Sequence, residues 1–380
     1  MMPELSVGVT VALPGLIIWL IILLLPWRPW DTRESFDPGT EIHSRPDFSR
    51  LTILIPARNE ADVITDTLQA IVNESPDIRI LLVDDQSTDQ TVALARNIDS
   101  SSLTIFHGRP LPADWSGKLW ALEQGYREVS SDYVLLLDAD ISLLPGTIAA
   151  LIAKLENENL DFVSLMANLR MQTLWEQLLM PAFIFFFKLL YPFQLSNSGF
   201  PYVAAAAGGC ILVKKQMLDK VDAFSSLKNT LIDDCALAGK IKTAGGHTWI
   251  GLTHSAISHR IYNTLESIWN MVSRTAYTQL RFSLPLLLLC SLLMCAAFIF
   301  PVLSLNPLNP LAFAMALATL GIMVFCYLPV VNYYNLAPGW IATLPLAGLL
   351  FLLMTWTSAY RYYFSKGASW KERNYSRQGD

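Results

Sequence analysis

Residues 133–140 read Tyr-Val-Leu-Leu-Leu-Asp-Ala-Asp: five apolar or aromatic residues, then two carboxylates one residue apart. A run this short and this apolar fits a strand buried on both faces. Similar runs at 51–56, 78–83, 103–106 and 162–165 are separated by stretches of helical period. That alternation predicts an α/β domain on a mostly parallel, doubly wound sheet, where ligands gather beyond the carboxyl ends of the strands. The two acids stand at such an end.

Beyond the domain the composition changes. Of the 380 residues 53% are hydrophobic and 16% charged, too apolar a balance for an ordinary soluble enzyme. Residues 7–27 are almost wholly apolar, enough at about 1.5 Å per residue to cross a core of roughly 30 Å. With no basic stretch before them and no small-x-small site after them, they read as a retained anchor. Three further candidate spans lie at 284–303, 311–331 and 340–363. The divisions expected are an anchor at 1–30, a catalytic domain at 48–281, a membrane region at 282–363 and a basic tail at 364–380.

Arg28, Arg33, Arg45 and Arg50, with Arg260, Arg274 and Arg281, put the domain on the cytoplasmic side by the positive-inside rule. Three later spans would then carry the tail across, yet its Arg361, Lys366, Lys371, Arg373 and Arg377 call for the same side, so one segment is expected to be re-entrant or interfacial. Residues 174–193, with Met180-Pro181, Phe185–Phe187 and Lys188, fit either a buried core helix or an interfacial one. Aromatic density and the lone Lys favour the interface. Five cysteines without framework spacing suit a reducing compartment. A net charge of -5 and the lack of basic blocks give no sign of nucleic-acid binding, and His247, His254 and His259 match no zinc spacing.

Polar residues collect at each strand end. The first run closes in Pro56-Ala57-Arg58-Asn59-Glu60. The second closes in Asp84-Asp85, adjacent carboxylates that repel unless a ligand or cation engages them, and a nucleoside is the expected partner. Ser87-x-x-Gln90 has the form of a capping box. Ser116-Gly117-Lys118 opens a helix with a cation in its first turn, unfavourable for the helix dipole unless an anion such as phosphate sits there. Along an extended segment Asp138 and Asp140 would point the same way, as oxygen ligands for Mg²⁺ or Mn²⁺. Gly208-Gly209, before Cys210, permit close backbone approach to a substrate. Asp233-Asp234 begin another helix, where one acid is placed to act as a general base.

In order, IPARNE (55–60), VDDQSTDQT (83–91), GKLWAL (117–122), LDAD (137–140), GGC (208–210) and IDDCALAGKIKTAGG (232–246) resemble the family 2 glycosyltransferases of the GT-A fold. The resemblance covers about 51–281. It implies a Rossmann-like nucleotide-diphospho-sugar transferase domain, nucleoside contacts from Pro56, Asp84 and Asp85, diphosphate contact from Lys118, and metal at Asp140 supported by Asp138. It puts the base at Asp234, with Asp233 in place of the family's usual Glu. Of a Gln-x-x-Arg-Trp motif that closes over the donor only Arg274 matches.

More narrowly, PADWSGKLWAL (112–122) and IWNMVSRTAYTQL (268–280), with one span before the domain and several after it, resemble the bacterial hopene-associated glycosyltransferases. That likeness implies a multi-pass protein of the bacterial inner membrane. It would transfer sugar from a UDP-sugar, with inversion, to a lipid hydroxyl of hopanoid type, presented beside a loop at Gly208, Gly209 and Cys210. Ceramide, diacylglycerol or polyprenyl phosphate as acceptor, and a non-catalytic scaffold or lipid carrier, are the alternatives.

Overall fold

The runs that nucleate the sheet are strands in the structure, a computed structural model that describes residues 2–39, 46–228, 230–364, 369–370 and 373–374. Arg45, Lys366, Lys371, Arg377 and most of the basic tail lie outside the described residues. Eight strands form one sheet: β1 (Leu51–Ala57), β2 (Arg79–Asp84), β3 (Leu103–His107), β4 (Tyr133–Leu137), β5 (Ile141–Leu143), β6 (Phe162–Asn168), β7 (Cys210–Lys214) and β8 (Thr248–Ser258). Their order is β3-β2-β1-β4-β7-β6-β8-β5.

Strands β3, β2, β1 and β4 are parallel, as expected. In the other half β6 and β8 pair parallel and run the same way as β4, so the sheet is mostly parallel as expected, with two reversed strands: β7 runs antiparallel between β4 and β6, and β5 antiparallel to β8. The reversal matters for the site. Because Leu137 pairs with Cys210, β7 begins where β4 ends, and the Asp138 N–H donates to the Gly209 carbonyl at 3.0 Å.

An N-terminal helix α1 (Met2–Leu24) precedes the sheet. Helices α2 (Ile64–Glu74), α3 (Thr91–Arg96), α4 (Gly117–Tyr126) and α5 (Thr147–Asn157) follow its early strands. Alternate residues of β1 face opposite layers. Ile53 and Ile55 pack with Ile64, Leu68 and Leu151, and Leu54 packs with Leu81, Val83 and Leu122. All are buried, each contributing on the order of 1.5–3 kcal/mol by transfer from water.

Next come α6 (Leu174–Leu190), α7 (Phe193–Ser196), α8 (Lys215–Lys220), α9 (Asp233–Thr243) and α10 (Leu265–Gln279). The segment 174–193, expected to be interfacial, is largely the helix α6. Within α6 only Leu174 and Leu190 are exposed; its aromatic residues meet Trp19, Phe298, Tyr327 and Phe351 of the apolar helices. Lys188 does not snorkel but is buried, donating to the Asp31 carbonyl. Phe185 and Phe186 thus pack against aromatic side chains of those helices.

After the domain follow α11 (Leu284–Met294), a π turn at Cys295–Ile299, α12 (Phe300–Leu303), α13 (Pro310–Tyr333) and α14 (Leu344–Phe364). Four stretches are long and apolar enough to cross a membrane: Val7–Leu24, Leu284–Leu303, Pro310–Tyr333 and Pro338–Phe364. Helices α1 and α13 run parallel, with Gly8 beside Asn309 and Trp30, just past α1, against Phe325. The end of α13 meets the sheet where Tyr333 O accepts from His254. The turn before α14 packs on α13 and α6, and at the far end of α14 Arg361 donates to Ser273 and Asn270 of α10 at 2.8 and 2.7 Å. Both ends of α14 therefore meet the α/β domain or the helix ends beside it.

Candidate active site

The first two strand ends form one interlocked loop pair. Asn59 N–H donates to Ser87 Oγ (3.1 Å), Thr88 N–H to Asn59 Oδ1 (2.8 Å) and Glu60 N–H to Thr91 Oγ1 (2.8 Å). Asn59 and Gln86 hold left-handed backbone, φ 52° and 58°, at these turns. The expected Ser87–Gln90 box does not form. Ser87 is drawn to the neighbouring loop, and Asp89 Oδ1 accepts from the Thr91 N–H instead. Asp84 and Asp85 are buried beneath the loops. Asp84 accepts from the Ser87 N–H at 3.1 Å and stands 3.5 Å from His107, and the Asp85 N–H donates to Ala57 O.

Around the β4 end the sequence-distant groups meet. Pro56, Lys118, Asp138, Gly208, Asp233 and Asp234 line one small cavity. Ser116 caps α4 by accepting from the Leu119 N–H, which fixes the start of the helix and sends Lys118 toward β4, where Nζ lies 2.5 Å from Asp138 Oδ1. Burial works to lower the ammonium's pKa, but Asp138, Asp233 and Asp234 outweigh it and hold Lys118 above its ordinary range. The cation in the first turn is thus satisfied by three carboxylates from two other elements, and it faces the cavity where an anion would enter.

Asp234 heads α9 with Oδ1 accepting from the Cys235 N–H at 2.7 Å. Burial, and next the charge of Asp233, push its carboxyl up to about 7, against the opposing pull of the Cys235 N–H, Lys118 and the Gly208 N–H. Gly208 lies between Asp234 and Lys118: a Cβ there would be 3.3 Å from Asp234 Oδ2 and 3.3 Å from Lys118 Nζ. Cys210 is fully buried, its thiol pushed up to about 12 by burial and then Asp138, so it is an inert packing group.

Asp138-Ala139-Asp140 is a turn rather than a continued strand, because the Ile141 N–H donates back to Asp138 O and Thr67 Oγ1 holds Ala139 O. The two carboxylates are neighbours nonetheless. Asp140 is mostly buried; burial and then Asp138 raise its carboxyl, while Arg260 and Lys118 pull it back without cancelling the rise. Arg260 Nε stands 3.0 Å from Asp140 Oδ2. Arg274 is exposed on α10, and its charge, like that of Arg260, bears on the half-buried Tyr262 beside Asp140.

Among the described residues no three His, Cys, Asp or Glu side chains gather as a metal cage. Two close carboxylates answered by basic side chains are still a site built around positive charge. Such a pair fits Mg²⁺ or Mn²⁺ that takes its remaining oxygen ligands from water and phosphate.

Arg260 and Tyr262 escaped the sequence reading because β8, which delivers them, escaped it. The one available signal was Thr248–Ser258, an eleven-residue stretch free of Gly-Pro punctuation except Gly251.

Comparison with known proteins agrees with this geometry. The description Glycosyl transferase family 2 matches residues 52–222. The 4,4'-diaponeurosporenoate glycosyltransferase of Staphylococcus aureus is 31% identical over 94 residues, 25% of this chain and 24% of that one, so the match spans about a quarter of the relative. A Pyrobaculum calidifontis mannosyltransferase solved with GDP-Man and Mn²⁺ superposes with TM-score 0.54 at 18% identity, covering 94% of this chain and 99% of that one. Glucosyl-3-phosphoglycerate synthase of Mycobacterium tuberculosis, solved with Mn²⁺ and UDP-Glc, reaches TM-score 0.42 at 18% identity over 66% of this chain and 86% of that one. Residues 52–222 thus match glycosyl transferase family 2, and the fold is that of the solved mannosyltransferase.

Proposed function

We propose that this chain is a membrane-bound, inverting glycosyltransferase that moves a sugar from a UDP-sugar to the hydroxyl of a lipid. The observation that carries this reading is the pairing of Asp234, a carboxyl lifted to about 7, with Lys118 across Gly208. A base with that pKa is half ionised near neutrality, where proton removal from a hydroxyl is most effective. Asp234 takes the acceptor's proton while its oxygen attacks the anomeric carbon on the face opposite the diphosphate. The carbon–oxygen bond to the diphosphate breaks, and UDP departs with the electron pair, so the anomeric centre inverts. Lys118 holds the diphosphate as charge builds on it. Asp138 and Asp140 are the residues that would hold Mg²⁺ or Mn²⁺, whose charge neutralises the same leaving group. Pro56, Asp84 and Asp85 border the nucleoside, and Arg274 approaches from α10.

Four long apolar helices around the domain support a lipid acceptor, as does the S. aureus relative, whose name specifies a diaponeurosporenoate. A hopanoid is the narrower acceptor we favour, from the likeness of 112–122 and 268–280 described above. The five cysteines are free, in keeping with a cytoplasmic domain on the bacterial inner membrane. An acidic acceptor is the second reading, suggested by that relative's acid substrate; it would attack without a strong base and would tolerate Asp234→Asn. Mass spectrometry of lipids from cells with and without the gene tests the proposal. A glycolipid should vanish with the gene and return with the wild-type copy, and unchanged lipids would refute it.

A further inference from the structure

One basic group faces the acidic pair without a part in the transfer described above. The β5–β8 ladder sets Ile141 against Ser258, and the His259 N–H donates to Asp140 O at 2.8 Å, so Arg260 emerges beside the Asp140 carboxylate. Its Nε lies 3.0 Å from Oδ2, and its NH2 lies 3.8 Å from Glu60 Oε1 in the β1–α2 loop. The Asp140 side chain is 13% exposed and the Arg260 side chain 38%, so the guanidinium is the more open partner and the one free to withdraw. A divalent cation on that carboxylate would meet the guanidinium at a few ångströms, where like charges repel strongly.

We propose that Arg260 is the resident counter-cation of Asp140, which a divalent cation must displace, so that Arg260 keeps metal affinity low until the donor arrives. This rests on the metal-assisted reading above. Glu60 gives the released guanidinium a second carboxylate within reach. The donor's diphosphate brings negative charge that eases the crowding of the two cations. Donor and metal then strengthen each other's binding by the same factor, as linkage requires. Arg260 is a positioning residue: it acts through Asp140 and need not touch the sugar.

The test is Mn²⁺ binding to the full-length protein in detergent, read from the electron paramagnetic resonance of free Mn²⁺, with and without UDP. Arg260→Gln should bind Mn²⁺ about 10-fold more tightly than wild type without UDP, and UDP should then add less. The Mn²⁺-induced rise in melting temperature should also be larger in Arg260→Gln, since a ligand stabilises by its affinity for the folded state. Arg260→Lys, which keeps a cation, should stay near wild type and serves if the Gln variant folds poorly. Equal or weaker Mn²⁺ binding in Arg260→Gln, with wild-type binding abolished by Asp140→Asn, would overturn the proposal and leave the metal-assisted reading standing. Absence of Mn²⁺ binding in every variant, with or without UDP, would overturn both. Tighter binding that survives Asp140→Asn in the Arg260→Gln background would put the metal elsewhere and also overturn the proposal.

Discussion

The ammonium of Lys118 stands 2.5 Å from the carboxylate of Asp138, tying the first turn of α4 to the end of β4. Lys118→Ala should raise KM for the UDP-sugar and lower kcat/KM by about 100-fold, on the scale of losing a preorganised charge contact. It should also lower stability by roughly 2–3 kcal/mol, less than for a fully buried pair because both groups are partly open to water. Steady-state kinetics and denaturant melts read the two effects. Lys118→Met matching wild-type kcat/KM would remove the diphosphate role.

Asp234 should govern the pH response. Its carboxyl titrates near 7 in the folded protein, so kcat/KM should rise with pH through about 7 and then level. Asp234→Asn should lose that limb and cut turnover by about 100-fold or more, while UDP binding stays within a few-fold.

Stability should move the opposite way. Between the ordinary carboxylate range and about pH 7 the folded state keeps a proton that the unfolded chain has released. Wild type should therefore lose stability as pH rises across that window, and Asp234→Asn should flatten the loss. Thermal melts from pH 4 to 8 decide it.

Gly208→Ala inserts a methyl 3.3 Å from both Asp234 Oδ2 and Lys118 Nζ. Shifts of a few tenths of an ångström at reacting groups are costly, so kcat should fall by about 10-fold or more with little change in melting temperature. Unchanged kcat would show that the two groups need not stand this close.

Both ends of α14 meet the α/β domain or the helix ends beside it, its last turn through Arg361. A reporter fused at the C-terminus should accordingly lie on the same side of the membrane as the catalytic domain. Protease protection of sealed vesicles checks this, with a reporter on the opposite side as the contrary result. The arrangement would account for the basic tail without a third crossing after the domain.

What was legible in the sequence follows burial. Strands β1, β2 and β4 lie in the sheet interior and read as largely apolar runs, with acids closing β2 and following β4. The eleven-residue β8 was hidden because its polar residues serve a tertiary contact: Thr253, His254 and Ser255 all bond to Asp37 of the segment leaving α1. With β8 unseen, Arg260 looked like a flanking charge. Spacing suggested an extended segment with Asp138 and Asp140 on one side, but the segment is a turn that rests on bonds with Thr67 and Gly209, far away in sequence. Lys188 misled for a related reason, since its buried partner is the Asp31 carbonyl, supplied by the linker after α1.

The most direct test of the central claim is label transfer: purified full-length protein, Mn²⁺, a panel of labelled UDP-sugars and a bacterial lipid extract, followed by counting the organic phase. Label should enter the lipid fraction with one UDP-sugar, and Asp234→Asn should abolish the transfer. No lipid labelling with any UDP-sugar, or equal labelling by Asp234→Asn, would contradict the account.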